Sequence, residues 1–113
     1  MNGSEAENLA THYLQQQHLA LVTRNYRCRY GEIDLIMRDQ SVLVFIEVKM
    51  RTHHSFGGAI QSITKLKQQK LLLTANHYLT TLKTIPPCRF DVVLITGQKN
   101  QEIEWIKNAF DEY

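Results

Sequence analysis

A chain of 113 residues with a net charge of +2 has room for about one domain and one modest core, taken here as a single unit over residues 1–113. Its charged and apolar fractions are those of an ordinary globular protein, which excludes disorder, and no run nears the ~18 apolar residues of a membrane span. The acidic opening MNGSEAENLATHYL lacks a secretory signal, and Cys28 and Cys88 have no CxxC partner, so a reduced, cytoplasmic protein without membrane contact is expected.

Ala6, Leu9, Ala10, Tyr13 and Leu14 recur at helical spacing and predict an amphipathic first helix, opened by the capping box Ser4-Glu5-Ala6-Glu7. Leu19 to about Arg29 predicts a first strand. Gly31–Arg38 and Val42–Met50 predict two more, joined by a tight polar turn as an antiparallel hairpin. Thr52–Gly58 reads as loop, and a long helix is expected from about Ala59 to Lys83, with Ile60, Leu71, Ala75, Tyr78 and Leu82 on one stripe. Pro86-Pro87 ends that stretch and leads into a strand at Arg89–Ile95. Gly97-Gln98-Lys99-Asn100 then turns into a short strand around Glu102–Ile106. The third strand is apolar on both faces, with Val42, Val44, Ile46 and Val48 on one and Leu43 and Phe45 on the other, as in a central strand covered on both sides. The expected fold class is α/β, of order α-β-β-β-α-β-β, with a central mixed sheet flanked by helices.

Charged residues interrupt these apolar runs, and an ionised side chain without partners is costly to bury. Glu32 and Asp34 share one strand face, as do Glu47 and Lys49. A turn centred on Gln40-Ser41 sets Asp34 opposite Glu47 and Glu32 opposite Lys49, whereas a slip by two opposes Glu32 to Glu47, a destabilising like-charge pair. In the better register the carboxylates of Asp34 and Glu47 hang from Cβ atoms about 5 Å apart. Such crowding raises one pKa unless a cation sits between them, and Mg²⁺ accepts one or two protein carboxylates completed by water and phosphate oxygens. Lys49 stands one pleat beyond, placed to orient a water or to offset charge on a phosphate. The same spacing also fits a Glu32–Lys49 ion pair, with Asp34 accepting backbone N–H groups from a neighbouring turn.

Arg24, Arg27 and Arg29 crowd around Tyr26 and Tyr30, and Lys65, Lys67 and Lys70 crowd a second segment. Each is a solvated face on its own, and together they permit a phosphate-binding surface. His53-His54 lies at no zinc-finger spacing from a Cys or His, and Gly57-Gly58 lacks the Lys-Ser/Thr of a phosphate loop. Trp105 reads as core.

Asp34, a short hairpin and then Glu47-Val48-Lys49 resembles the D…(D/E)-x-K signature of restriction-endonuclease-like nucleases. Over essentially its full length the chain resembles the YraN-type family of small bacterial proteins. The likeness rests on Glu7-x-x-Ala10-x-x-Tyr13-Leu14, Gly31-Glu32-Ile33-Asp34-Leu35-Ile36, Phe45-Ile46-Glu47-Val48-Lys49 and Arg89-Phe90-Asp91-Val92-Val93. It departs from the family at His18, where a glycine usually ends the first helix. The resemblance implies a restriction-endonuclease-like fold related to archaeal Holliday-junction resolvases. It also implies a Mg²⁺- or Mn²⁺-dependent endodeoxyribonuclease acting on branched or single-stranded DNA, as a homodimer. The alternative is a non-catalytic nucleic-acid-binding or accessory module that retains the fold. On this reading Asp34 and Glu47 hold the metal with the Val48 carbonyl as third oxygen, Lys49 positions the water, and Glu7 assists from the first helix. Arg27, Arg29, Arg51, Lys65 and Lys67 contact phosphates. Asp91 is structural, since a helical crossover makes its strand parallel to that of Glu47 and is expected to leave the two at opposite edges.

Overall fold

The computed structural model describes residues 1–51, 63–97 and 99–110. The expected Thr52–Gly58 loop with His53-His54 and Gly57-Gly58, the segment 59–62 with Ile60, and Gln98 of the last turn lie outside the described residues.

Helix α1 covers Gly3–Gln16. Its cap is Asn2, whose side chain accepts the Glu5 N–H at 2.8 Å, so the expected Ser4–Glu7 box is displaced by two residues and Ser4 lies within the helix. The other end explains how His18 stands where glycine is usual. His18 adopts φ 74°, its N–H bonds the Gln15 carbonyl, and the Leu19 N–H reaches back to the Leu14 carbonyl at 3.0 Å. This is a Schellman closure, with Leu14 and Leu19 packed in the same core cluster.

Strands β1 (Ala20–Cys28), β2 (Gly31–Asp39) and β3 (Val42–Arg51) precede helix α2 (Lys65–Leu79), which is followed by β4 (Cys88–Thr96) and β5 (Glu102–Phe110). They form one five-stranded sheet in the order β1-β2-β3-β4-β5. Among the described strands only β3 and β4 are parallel, because α2 carries the chain back across the sheet between them. The expected element order and mixed sheet are therefore found. The turn between β2 and β3 is Gln40-Ser41, with Gln40 at φ 56°. Among the described residues no helix is long and apolar enough to cross a membrane.

The helices take opposite faces of the sheet. Ala6, Ala10 and Leu14 of α1 pack on Leu35, Met37, Val44, Ile46, Val93 and Ile95. Leu71 and Ala75 of α2 pack on Ile33, Ile36, Phe45, Phe90, Val92 and Leu94. At the tip of the β1–β2 hairpin α2 passes close by. Gly31 has φ 153°, and a Cβ there would lie 3.2 Å from the Thr74 hydroxyl, so glycine permits both the bend and the approach.

Two element lengths differ from expectation. Helix α2 starts at Lys65, after the N-cap Thr64, and stops at Leu79. There Thr80 and Thr81 turn their hydroxyls onto the carbonyls of His77 and Tyr78, a local competitor of the helical bond. Strand β5 runs on to Phe110 through a bulge, with Asn108 at φ 53°.

Candidate functional site

The β2–β3 ladder runs from Asp39↔Val42 to Leu35↔Ile46. Its register is the expected one, and its next rung would join Asp34 to Glu47. That rung is missing because the strands part there. Ile33 and Ile36 both join the α2-side core, and a three-residue step to the same side breaks the two-residue alternation of a strand. At the break the Asp34 Oδ2 accepts the Val48 N–H at 2.9 Å, so a carboxylate replaces the lost ladder acceptor. A strand residue's N–H and C=O leave the chain on the same side, which turns the Val48 carbonyl toward the same gap.

Glu47 follows Phe45 on the α2 face and is buried, at 8% exposure. Its carboxylate faces that of Asp34. The Asp34 carboxyl is pushed up to about 7, first by burial, then by the Glu47 charge. The Val48 N–H bond pulls the other way, while a hydrogen bond with Glu47 and the charge of Glu32 add to the rise. The Nζ of Lys67 stands 3.3 Å from Glu47 Oε2. Lys49 is exposed on the same side of β3. Glu32 pairs with Arg27 at 3.2 Å, so the Glu32–Lys49 rung suggested by extending the register is not what balances Glu32.

The remaining expected site residues divide. Glu7 lies 3.5 Å from Arg24 Nη2, on the helix covering the other face, and its charge is balanced there. Among the described residues no three His, Cys, Asp or Glu side chains gather, so Glu7 does not complete a triad with Asp34 and Glu47. Arg29 lies over the Tyr30 ring, its carbon 4.9 Å from the centroid, and it and Arg27 are exposed. Lys65 is exposed at the start of α2. Arg51, at the end of β3, donates to the Thr96 hydroxyl at 3.0 Å and lies 4.0 Å from Glu104. Lys67, expected to face phosphate, is turned to Glu47. A sequence signal for that contact was present: Lys67, Leu71 and Ala75 lie four apart, so the lysine shares the helix stripe that meets the sheet.

Asp91 lies beside Ile46 in the parallel register, one row from Glu47↔Val92, which corrects its expected place at the opposite edge. The sheet face separates it from Glu47 instead. Its side chain is fully buried and accepts from Arg89 Nε, Trp105 Nε1 at 2.9 Å and the Asn108 N–H at 2.9 Å. Arg89 continues to Asp39 at 2.9 Å. Trp105 packs against the α1-side core, as expected.

Asp34 and Glu47 offer hard oxygen donors in a partly desolvated site, with Lys67 as the counter-ion on Glu47. Among the described residues no His or Cys joins them, and two carboxylates suit Mg²⁺ or Mn²⁺ better than zinc.

The model of the family described as "Uncharacterised protein family UPF0102" matches residues 6–95. Similar proteins include the UPF0102 protein of Nitrosomonas europaea, 58% identical over 97% of this chain and 93% of its own. That of Nitrosospira multiformis is 56% identical over 98% and 93%, and that of Psychromonas ingrahamii 54% identical over 97% and 89%.

Proposed function

We propose, for a chain that belongs to the uncharacterised protein family UPF0102, the function of a metal-dependent nuclease-like protein acting on branched or single-stranded DNA. The observation that carries this reading is the pairing of the half-buried Asp34 with the buried Glu47. Two carboxylates face each other where the sheet parts, and one is held near pH 7 by burial and by the charge of the other. Such a pair is costly to a fold that uses it for nothing.

Mg²⁺ or Mn²⁺ held by Asp34, Glu47 and the Val48 carbonyl would supply Lewis-acid stabilisation of a phosphodiester and a water of lowered pKa. The chain's own residues do the rest. The Val48 N–H fixes the Asp34 carboxylate in orientation. Lys49, exposed beyond Glu47, orients the attacking water and offsets charge on the phosphate oxygens. Arg27, Arg29, Arg51, Lys65 and Lys67 supply backbone contacts, so binding weakens steeply with salt as counterions are released. A homodimer would present two such sites to the two strands of a junction.

The test is incubation of the protein with junction, flap, single-stranded and duplex DNAs in Mn²⁺, with Asp34→Ala as control. Cleavage of a branched or single-stranded substrate that disappears in the variant is expected, and no Asp34-dependent cleavage of any substrate would overturn the activity. Sedimentation with and without junction DNA tests the dimer, which a monomer under both conditions would exclude. A second reading, the non-catalytic nucleic-acid-binding module, is favoured by one contact: Lys67 already neutralises Glu47 at 3.3 Å. It predicts salt-dependent DNA binding without Mn²⁺ binding.

A further inference from the structure

Lys67 and Glu47 are unequal partners. The Glu47 side chain is 10% exposed and that of Lys67 48%, so the carboxylate is fixed in the protein while the ammonium reaches in from solvent. The lysine's backbone is anchored as the third residue of α2, its N–H held by the Thr64 hydroxyl at 3.1 Å. The four-carbon stem beyond that anchor is free to swing. The site therefore has a counter-ion that can leave without any movement of the helix.

A dication bound by Glu47 would compete for the oxygen that Lys67 now approaches, and would repel an ammonium this near. Lys65 lies exposed at the start of the same helix, so a lysine swung outward joins a positive surface. We infer that Lys67 is an exchangeable counter-ion: a divalent cation displaces it from Glu47, and the released ammonium binds a nucleic-acid phosphate, so that cation and nucleic acid bind cooperatively. The inference rests on the metal-site reading above and adds to it an order and a linkage. By reciprocity, phosphate that draws Lys67 away also tightens the cation site by the same factor.

The experiment is calorimetric titration of Mn²⁺ into the whole protein and its Lys67→Gln, Lys67→Arg and Glu47→Gln variants. It is paired with anisotropy of a labelled four-way junction, with and without Mn²⁺ at fixed ionic strength and short of turnover. Because Lys67 is half exposed, its variants keep the fold, which near-ultraviolet circular dichroism checks. Lys67→Gln is expected to bind Mn²⁺ about tenfold tighter than the parent, and Lys67→Arg to match the parent. Mn²⁺ should strengthen junction binding by the parent, and that enhancement should shrink about fivefold in Lys67→Gln. If Lys67→Gln binds Mn²⁺ no tighter while Glu47→Gln abolishes binding, the exchange is overturned and the metal site stands. An undiminished enhancement in Lys67→Gln overturns the hand-over to phosphate. Absence of Mn²⁺ binding by the parent removes the metal reading and the exchange with it.

Discussion

Two aspartates, Asp91 fully buried and Asp34 half-buried, sit on neighbouring parts of one sheet and are treated in opposite ways. Asp91, on the α1 side, is surrounded by donors: the Arg89 guanidinium, the Trp105 indole and the Asn108 N–H. Asp34, on the α2 side, has the Val48 N–H and then another carboxylate. Both lie in apolar strands, and the half-buried state of Asp34 against the full burial of Asp91 does not by itself explain the difference. Their partners do. A buried charge encircled by donors holds the fold together, and a partly desolvated charge set against its own kind is costly until something else arrives. Asp91 even fills an irregularity, since β5 passes it with Lys107, Asn108 and Ala109 between the pairs Phe90↔Phe110 and Val92↔Ile106.

The comparison is broken most forcefully at Asp91. Asp91→Ala leaves Arg89 without one of its two carboxylates and the bulge without its acceptor, so a loss of about 4 kcal/mol is expected in denaturant unfolding. A loss under about 1 kcal/mol would mean that the network is incidental. The acidic pair should respond to metal instead. Saturating Mn²⁺, at about 100 times its dissociation constant, should stabilise the parent by about 2.7 kcal/mol, and Asp34→Ala by nothing. An equal melting shift in both proteins would place the ion elsewhere.

The contrast was only half legible in the sequence. The α-β-β-β-α-β-β order, the Gln40-Ser41 turn and the register that brings Asp34 to Glu47 follow from alternation and from the cost of opposing like charges. The position of Asp91 does not follow, because parallel register is set by where the crossover returns and no local pattern records it. Strand β5 looked shorter than it is, since Lys107-Asn108 breaks the alternation where the bulge lies. The Ser4–Glu7 spacing predicts a cap at Ser4, yet Asn2 takes that place by accepting the Glu5 N–H. Lys67 looked like a solvated charge because sequence spacing places it on a stripe without saying what that stripe meets.

A smaller effect separates the aspartates by pH. The folded Asp34 carboxyl titrates near 7 rather than its ordinary 3.8. The folded state therefore holds a proton that the unfolded chain has released. Its contribution is fully present below about pH 4 and is lost as pH rises to about 7. In EDTA the parent should lose on the order of 2 kcal/mol across that window relative to Asp34→Asn, after allowance for partial solvent screening. Parallel stability curves for the two proteins between pH 4 and 8 would show that Asp34 is not strained by its neighbour.

The smallest effect, at Glu47, is the most discriminating because its sign changes. Above pH 7 Asp34 has given up its proton, and Glu47→Gln removes one of two opposed charges. The lost Lys67 contact offsets little of that gain, since a half-exposed ion pair contributes only about 0–1 kcal/mol. The metal-free variant should then exceed the parent by up to about 1 kcal/mol. Near pH 5.5 Asp34 is protonated and donates a hydrogen bond to the Glu47 carboxylate. A charge-assisted bond of this kind is stronger than the neutral one that glutamine can accept. There the variant should be the less stable, by a similar amount. Chemical unfolding in EDTA at both pH values measures the crossover. A variant less stable than the parent at both would make Glu47 the structural partner of Lys67, and would move the Asp34–Glu47 side of the sheet into the same class as Asp91.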